Sequence, residues 1–162
     1  MIYGAILEKG EQFYTYLSKI FKAIEEKQID YNWLITDCDC YPLSAEIASL
    51  FAQEFCWLSG DELTSIIGKE DFQWVWGVLS GFEKGICLED VLKYPFPYAD
   101  GYPGFWKSPL SIQHPLASIE IVPFDSSFVL ILSKRREIID SFRKQLPLSE
   151  DLASFITRHT GN

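Results

Sequence analysis

The fold of this chain is decided by the stretch Ile119-Glu-Ile-Val-Pro-Phe-Asp-Ser-Ser-Phe-Val-Leu-Ile-Leu132. Residues 119–122 and 128–132 are dominated by the β-branched and aromatic side chains that strands favour, and residues 123–126 have the chemistry of a turn. The stretch therefore predicts a β-hairpin. Its second arm is apolar without alternation, which predicts a central strand covered on both faces.

Further strands are predicted outward from the hairpin, at residues 2–7, 31–40, 56–58 and 73–82. Successive side chains of a strand point to opposite faces of the sheet. In residues 31–40 this alternation groups Tyr31, Trp33 and Ile35 against Leu34, Thr36 and Cys38. In residues 73–82 it groups Trp74, Trp76 and Val78 against Val75, Gly77 and Leu79.

Helices are predicted between the strands. The apolar spacing of residues 11–27 and of residues 138–146 follows the helical period, and residues 88–94 suit a helical turn before Pro95. Three further helices have N-terminal signals: Ser44 caps a helix that extends to Phe55, Ser59 with Glu62 fits a capping box, and Ser149 caps the last helix. The pattern predicts one α+β domain over residues 1–162, a mostly antiparallel sheet with helices packed against it.

Composition narrows the classes of partner. The chain has 162 residues and a formal net charge of -9. Proteins bind nucleic acids and anionic membranes through basic side chains, so a negative charge favours neither kind of partner. It favours a basic protein as the partner. We expect no signal peptide and no membrane-spanning helix, hence a cytoplasmic protein in which the four cysteines are free thiols.

The segment from Tyr94 to Trp106 is unusually aromatic for a stretch rich in proline and glycine. Proline and glycine disfavour both helix and central strand, so the rings lie on a loop. Such a loop either folds back over the core or presents its rings to a partner. The sequence leaves these two alternatives open for Tyr98, Tyr102 and Trp106.

Asp37-Cys-Asp-Cys40 is the stretch closest to a catalytic motif. An apolar strand that ends in Asp-x-Asp can present a nucleophile and a Mg²⁺ ligand, and this stretch resembles the strand end of haloacid-dehalogenase-like phosphatases. That resemblance implies phosphoryl transfer at Asp37 and Asp39. The family has a later acidic pair, for which Glu89-Asp90 is the counterpart here, and in this chain a helix and a strand come before the motif.

Charge is distributed unevenly along the chain. Residues 37–71 are acidic with Lys69 as their single base, and aromatic residues lie among these acids. Aromatic anchors beside carboxylates suit a site for a basic protein, because rings supply desolvated area and acids supply steering. The predicted partner-binding residues are Asp37, Asp39, Trp57, Asp61, Glu62, Tyr98, Tyr102 and Trp106.

The whole chain resembles a bacterial family of small, uncharacterised cytoplasmic proteins. The resemblance is carried by Tyr31-Asn-Trp-Leu-Ile35, by Phe72-Gln-Trp-Val-Trp-Gly77 and by the stretch from Glu120 to Lys134. In size, acidity and aromatic content the chain is also similar to immunity proteins of bacterial toxin systems. We therefore expect a non-enzymatic protein-binding domain, a monomer or homodimer without cofactor or metal, that neutralises a basic toxin; the alternative is a metal-dependent phosphoryl-transfer enzyme centred on Asp37 and Asp39.

Overall fold

The computed structural model describes residues 1–10 and 15–160. Its strands are β1 (Tyr3–Leu7), β2 (Tyr31–Cys40), β3 (Phe55–Ser59), β4 (Trp74–Glu83), β5 (Ile119–Phe124), β6 (Phe128–Ser133) and β7 (Glu150–Asp151). They form a seven-stranded sheet in the order β3-β2-β4-β5-β6-β1-β7. Every neighbouring pair is antiparallel, which confirms the predicted α+β class.

Helices and loops cover both faces of this sheet. The helices are α1 (Leu17–Ala23), α2 (Ala45–Phe51), α3 (Gly60–Lys69), α4 (Leu88–Val91), α5 (Arg136–Gln145) and α6 (Leu152–Thr160). We call the face under α1, α2, α3 and α5 the helical face; it includes Trp33, Ile35 and Leu79. We call the other face, under α4, α6 and the aromatic segment (residues 94–106), the loop face. Among the described residues, no helix combines the length and apolar composition that crossing a bilayer requires.

The hairpin that the sequence predicts lies in the middle of the sheet. Residues 125–127 connect its strands, and Asp125 and Ser126 in this turn have left-handed φ values of 51° and 54°. Strand β6 lies between β5 and β1, and residues 129–132 are buried on both faces, as predicted. Next to the hairpin, Gly81 lies where a Cβ would overlap Cγ2 of Ile119, so the indole of Trp33 can pack closely over the sheet.

Two strands depart from the predicted alternation because each contains an irregularity. Pairing between β2 and β4 shifts register between Thr36 and Asp39, where Asp37 has a left-handed φ of 50°. The shift places Cys38 on the helical face with Trp33, not on the face of Thr36 as predicted. A second shift beside Cys40 places Trp74 on the helical face, while Trp76 and Val78 lie on the loop face.

The helix predicted over residues 11–27 is shorter in the structure. Helix α1 ends at Ala23, and Glu25 and Glu26 then adopt left-handed φ values of 56° and 61° that interrupt the helical path. A 3-10 turn, Lys27–Asp30, leads into β2. Residues 11–14, which the prediction included, lie outside the described residues.

Two other helix boundaries differ from the prediction. Helix α2 ends at Phe51, and Phe55, which the prediction placed in that helix, instead begins β3. Asp151, not Ser149, caps α6: its Oδ2 accepts hydrogen bonds from the backbone N–H and the hydroxyl of Ser154, both at 2.9 Å. The Ser59–Glu62 capping box is confirmed, with each side chain bonded to the other residue's backbone N–H.

Candidate functional site

The aromatic segment folds back over the sheet and completes the loop face. Phe105 is 2% exposed, and the ring of Tyr102 meets it edge-on with centroids 4.7 Å apart. Trp106 packs against Phe124 and Phe155 with centroids 5.9 and 6.3 Å away. These contacts resolve the alternative that the sequence left open: most rings of this segment pack against the core, and Trp106 is half-buried among them.

Polar anchors fasten the aromatic segment to β2. The hydroxyl of Thr36 donates to the carbonyl of Pro97 at 2.8 Å, and the N–H of Ala99 donates to Oδ2 of Asp37 at 2.8 Å. Gln113 bonds to both backbone groups of Tyr98, at 2.9 and 3.0 Å. The carboxylate of Asp37 is therefore engaged in holding a loop.

A buried carboxyl group lies beneath this covering. Glu120 is 0% exposed, and its Oε2 accepts a hydrogen bond from the backbone N–H of Gln113 at 3.0 Å. It lies opposite Ser80 in the β4–β5 register. Within the described residues, neither Oε1 of Glu120 nor Oγ of Ser80 has a hydrogen-bond partner. Burial raises the pKa of Glu120 to about 7, and the bond from Gln113 offsets this only in part.

Sequence reasoning missed Glu120, although a signal was present. Glu120 is the only charged residue in the otherwise apolar stretch 119–124 up to the turn, at a position whose neighbours in sequence point to the helical face. A charged residue in a strand predicted beside a central strand indicates either an edge or a buried ionisable group. Because the loop face is covered, Glu120 is a buried ionisable group.

The structure gives Asp37 and Asp39 a limited set of contacts for phosphoryl transfer. Within the described part of the chain, no three histidine, cysteine or acidic side chains converge in a way that could hold a metal ion. Asp39 pairs with Trp76 of the neighbouring strand β4, and its negative charge raises the pKa of the neighbouring Tyr41. The arrangement supports a structural role for Asp37 and an acidic surface at Asp39.

A strongly exposed apolar segment follows β2 immediately. We call it the 41–43 segment; within it Tyr41 is 71% exposed and Leu43 is 95% exposed. Glu70, which follows α3, accepts hydrogen bonds from the backbone N–H groups of Leu43 and Ser44. Ser44 in turn caps α2 through the N–H of Ile47 at 3.4 Å. The segment is thus held in an exposed position by α2 and α3.

A groove opens between α2 and α3 next to the 41–43 segment. Its volume is about 440 Å³, and we call it the α2–α3 groove. Its apolar lining comes from Ile47, Leu50 and Ile66, and its charged lining from Glu46, Lys69 and Glu70. An apolar groove with acidic side chains beside exposed tyrosine and leucine can accept an apolar side chain from a partner that carries positive charge.

The predicted partner-binding residues lie in three separate places: the loop face, the start of α3 and, for Asp39, the end of β2. Asp37, Tyr98, Tyr102 and Trp106 belong to the loop face and its covering, with Tyr98 and Tyr102 in edge contact at 5.4 Å. Trp57 also faces the loop side, against Phe82 at 5.7 Å. Asp61 and Glu62 begin α3, roughly 20 Å along the strand direction from Asp39. Their role in binding stays a prediction, and the exposed residues Tyr41 and Leu43 were not among them.

The fold and the groove describe an α+β protein with a two-sided antiparallel sheet and an acidic, partly apolar surface groove. Residues 3–153 match the model of a family described as a protein of unknown function, DUF2691. The chain belongs to that family. No curated protein and no solved structure matches the chain.

Proposed function

We propose that this chain is a non-enzymatic domain that binds a basic protein, and that it acts as an immunity protein by neutralising a basic toxin. The observation that carries the proposal is the exposed 41–43 segment beside the acidic α2–α3 groove. The proposed binding surface consists of that segment and that groove.

Exposure distinguishes the 41–43 segment from the aromatic segment. Leu43 at 95% and Tyr41 at 71% are more exposed than Tyr98 at 46% or Tyr94 at 37%. The bonds to Glu70 fix the backbone at Leu43 and Ser44, so this chain loses less conformational entropy when a partner buries Leu43. Tyrosine is also among the residues that most often dominate binding energy at protein interfaces.

Charge supports a basic protein as the class of partner. Glu46 and Glu70 line the groove and Asp39 adjoins Tyr41, while Lys69 is the one base between residues 37 and 71. A net charge of -9 adds a long-range attraction for positive proteins. The occupant of the groove is therefore proposed to be a segment that carries lysine or arginine around an apolar side chain.

The test is affinity capture from cells that encode the chain, with matched surface variants. One variant carries Tyr41→Ser with Leu43→Ser, and the control carries Leu92→Ser with Tyr94→Ser, a second exposed leucine–tyrosine pair at 41% and 37%. We expect the wild type and the control to retain a basic protein that the 41/43 variant loses. Purified and titrated calorimetrically, that protein should bind at least tenfold more weakly to the 41/43 variant.

Two further measurements decide between binding in general and toxin neutralisation. Affinity should fall as the NaCl concentration rises from 50 to 300 mM, because the attraction is electrostatic. Expression of the captured protein alone should arrest growth, and co-expression of this chain should restore it only when residues 41 and 43 are intact. Capture that is equal for both variants, or a partner whose binding ignores salt, would contradict the proposed surface.

A further inference from the structure

Two cysteine thiols lie in contact at the end of β2. The sulfur atoms of Cys38 and Cys40 are 3.4 Å apart, and both side chains are half-buried against the helical face. In a regular strand, residues i and i+2 are separated by about 6.6 Å, which keeps their side chains apart. Here the register shifts on both sides of Asp39 distort the strand and bring the sulfur atoms together.

We propose that Cys38 and Cys40 form a redox-active dithiol, whose oxidised state is an intramolecular disulfide and whose co-reactant is a small-molecule disulfide of the glutathione class. The sulfur atoms must approach by about 1.4 Å to reach the S–S bond length of about 2.05 Å. We expect rotations of the two side chains to supply that movement. This inference does not depend on the proposed binding function.

The reaction is a two-step exchange. The thiolate of one cysteine attacks a sulfur of the small disulfide, whose S–S bond breaks and releases one small thiolate. The second cysteine then attacks the protein sulfur of this mixed disulfide, and the second small thiolate leaves. The two protons of the protein thiols end on the two released thiolates, so the dithiol loses two electrons and the small disulfide gains two.

The surroundings of the pair determine its rate and its persistence. The hydrogen bond with Cys40, followed by burial, raises the pKa of Cys38 well above the usual range of a thiol. A thiol that stays protonated attacks slowly, so oxidation is slow at neutral pH. The raised pKa also means that the site does not stabilise the thiolate of the reduced form. The disulfide therefore persists once it has formed.

The other two cysteines provide internal controls. Cys56 is 5% exposed, its sulfur contacts the carbonyl of Leu50 at 3.5 Å, and burial raises its pKa to about 11. Cys87 is exposed and bonds to Asp90 in the same turn at 3.3 Å. Among the described residues, the thiols of Cys38 and Cys40 contact each other, whereas neither Cys56 nor Cys87 has a hydrogen bond to another cysteine.

The experiment equilibrates the folded chain with reduced and oxidised glutathione in varied ratio, traps free thiols with an alkylating agent and measures the intact mass. We expect a species that has lost two hydrogen atoms, with Cys38 and Cys40 protected and linked in one peptide. The double variant Cys56→Ser with Cys87→Ser should titrate like the wild type. Cys40→Ser, made in the Cys56→Ser and Cys87→Ser background so that no other thiol reacts, should instead stop at a single glutathione adduct on Cys38.

Circular dichroism of each variant before oxidation verifies that it is folded, and Cys40→Ala is a second variant should serine perturb the site. The proposal is overturned if both thiols remain alkylated at every glutathione ratio. It is equally overturned if the disulfide joins Cys56 or a second chain, or if the yield in urea equals the yield in the folded protein.

Discussion

Glu120 is the residue whose environment contradicts its chemistry most strongly. Its carboxyl group is fully buried beside the hydroxyl of Ser80 and accepts a backbone hydrogen bond from Gln113; the described residues offer no hydrogen-bond partner to that hydroxyl. A carboxylate transferred from water into such a site loses hydration that one hydrogen bond does not restore. The neutral acid is therefore favoured in the folded state, which makes stability depend on pH.

The sign of this dependence follows from the two pKa values. Burial raises the pKa of Glu120 from 4.5 to about 7. Below the lower value both states are protonated and the group carries no penalty. As the pH rises from 4.5 to 7, the unfolded chain loses the proton first and stability falls. The gap between these two pKa values corresponds to about 3 kcal/mol.

Glu120→Gln should remove this dependence, because glutamine resembles the protonated acid and does not ionise. At pH 5 the variant should match the wild type to within about 1 kcal/mol, and at pH 8 it should be more stable by about 2–3 kcal/mol. Urea unfolding at both values measures the difference, with Glu89→Gln, an exposed position, as the control. An equal effect of Glu120→Gln at pH 5 and pH 8 would show that the carboxyl group stays hydrated.

The attachment of the aromatic segment to β2 shows which elements the sequence could predict. Strand β2 was predicted with its observed bounds, because its apolar residues and the residues that flank it both indicate a strand over this range. The irregularity at Asp37 was not predicted, because a left-handed φ is uncommon even for aspartate and nothing local requires it. What holds it is the bond from the N–H of Ala99, a contact between residues that are 62 positions apart.

Thr36→Val tests the anchoring of this segment. Thr36 is 1% exposed, and its hydroxyl donates to the buried carbonyl of Pro97. Valine has nearly the same shape but no donor, so the carbonyl loses its partner at a cost of about 1–3 kcal/mol. We expect unfolding at lower urea and faster hydrogen exchange at the Ala99 amide, by about tenfold for each 1.4 kcal/mol of local opening.

Thr157→Val is the control, because that hydroxyl is exposed and bonds to Ala153 within its own helix. It should change neither stability nor the exchange of the Ala99 amide by a measurable amount. If Thr36→Val lowers stability while Ala99 exchanges at the wild-type rate, the hydroxyl contributes to the core and not to the attachment of the segment.

The molecule as a whole is one sheet with two unlike coverings, and this explains why the site was harder to predict than the fold. Strands and most helices follow from local periodicity, which the sequence contains. Exposure depends on which face each covering protects. Of the candidate anchors in the aromatic segment, Tyr102 and Trp106 are half-buried and Tyr98 is 46% exposed, while Leu43 is 95% exposed. A leucine next to proline in a short loop gives no local signal of its exposure.

A shared sheet also predicts that both coverings unfold together. Strands β4, β5 and β6 contribute side chains to both faces, so loss of either covering exposes apolar area on strands that the other still needs. Two chemically equal substitutions test this: Ile67→Ala in α3 on the helical face and Ile156→Ala in α6 on the loop face, at positions 3% and 4% exposed. Each should destabilise the protein by about 2–4 kcal/mol.

The measurement is urea unfolding followed by tryptophan fluorescence and by far-UV circular dichroism. Indoles lie on both faces, with Trp33 and Trp74 on the helical face and Trp76 and Trp106 on the loop face, so fluorescence reports on both coverings. In each variant the two signals should move to lower urea together and with one midpoint, since the strands that connect the coverings unfold only once. A variant Ile156→Ala that shifts an early fluorescence phase while the dichroism transition stays in place would show that α6 and the aromatic segment detach from a sheet that remains folded under its helices.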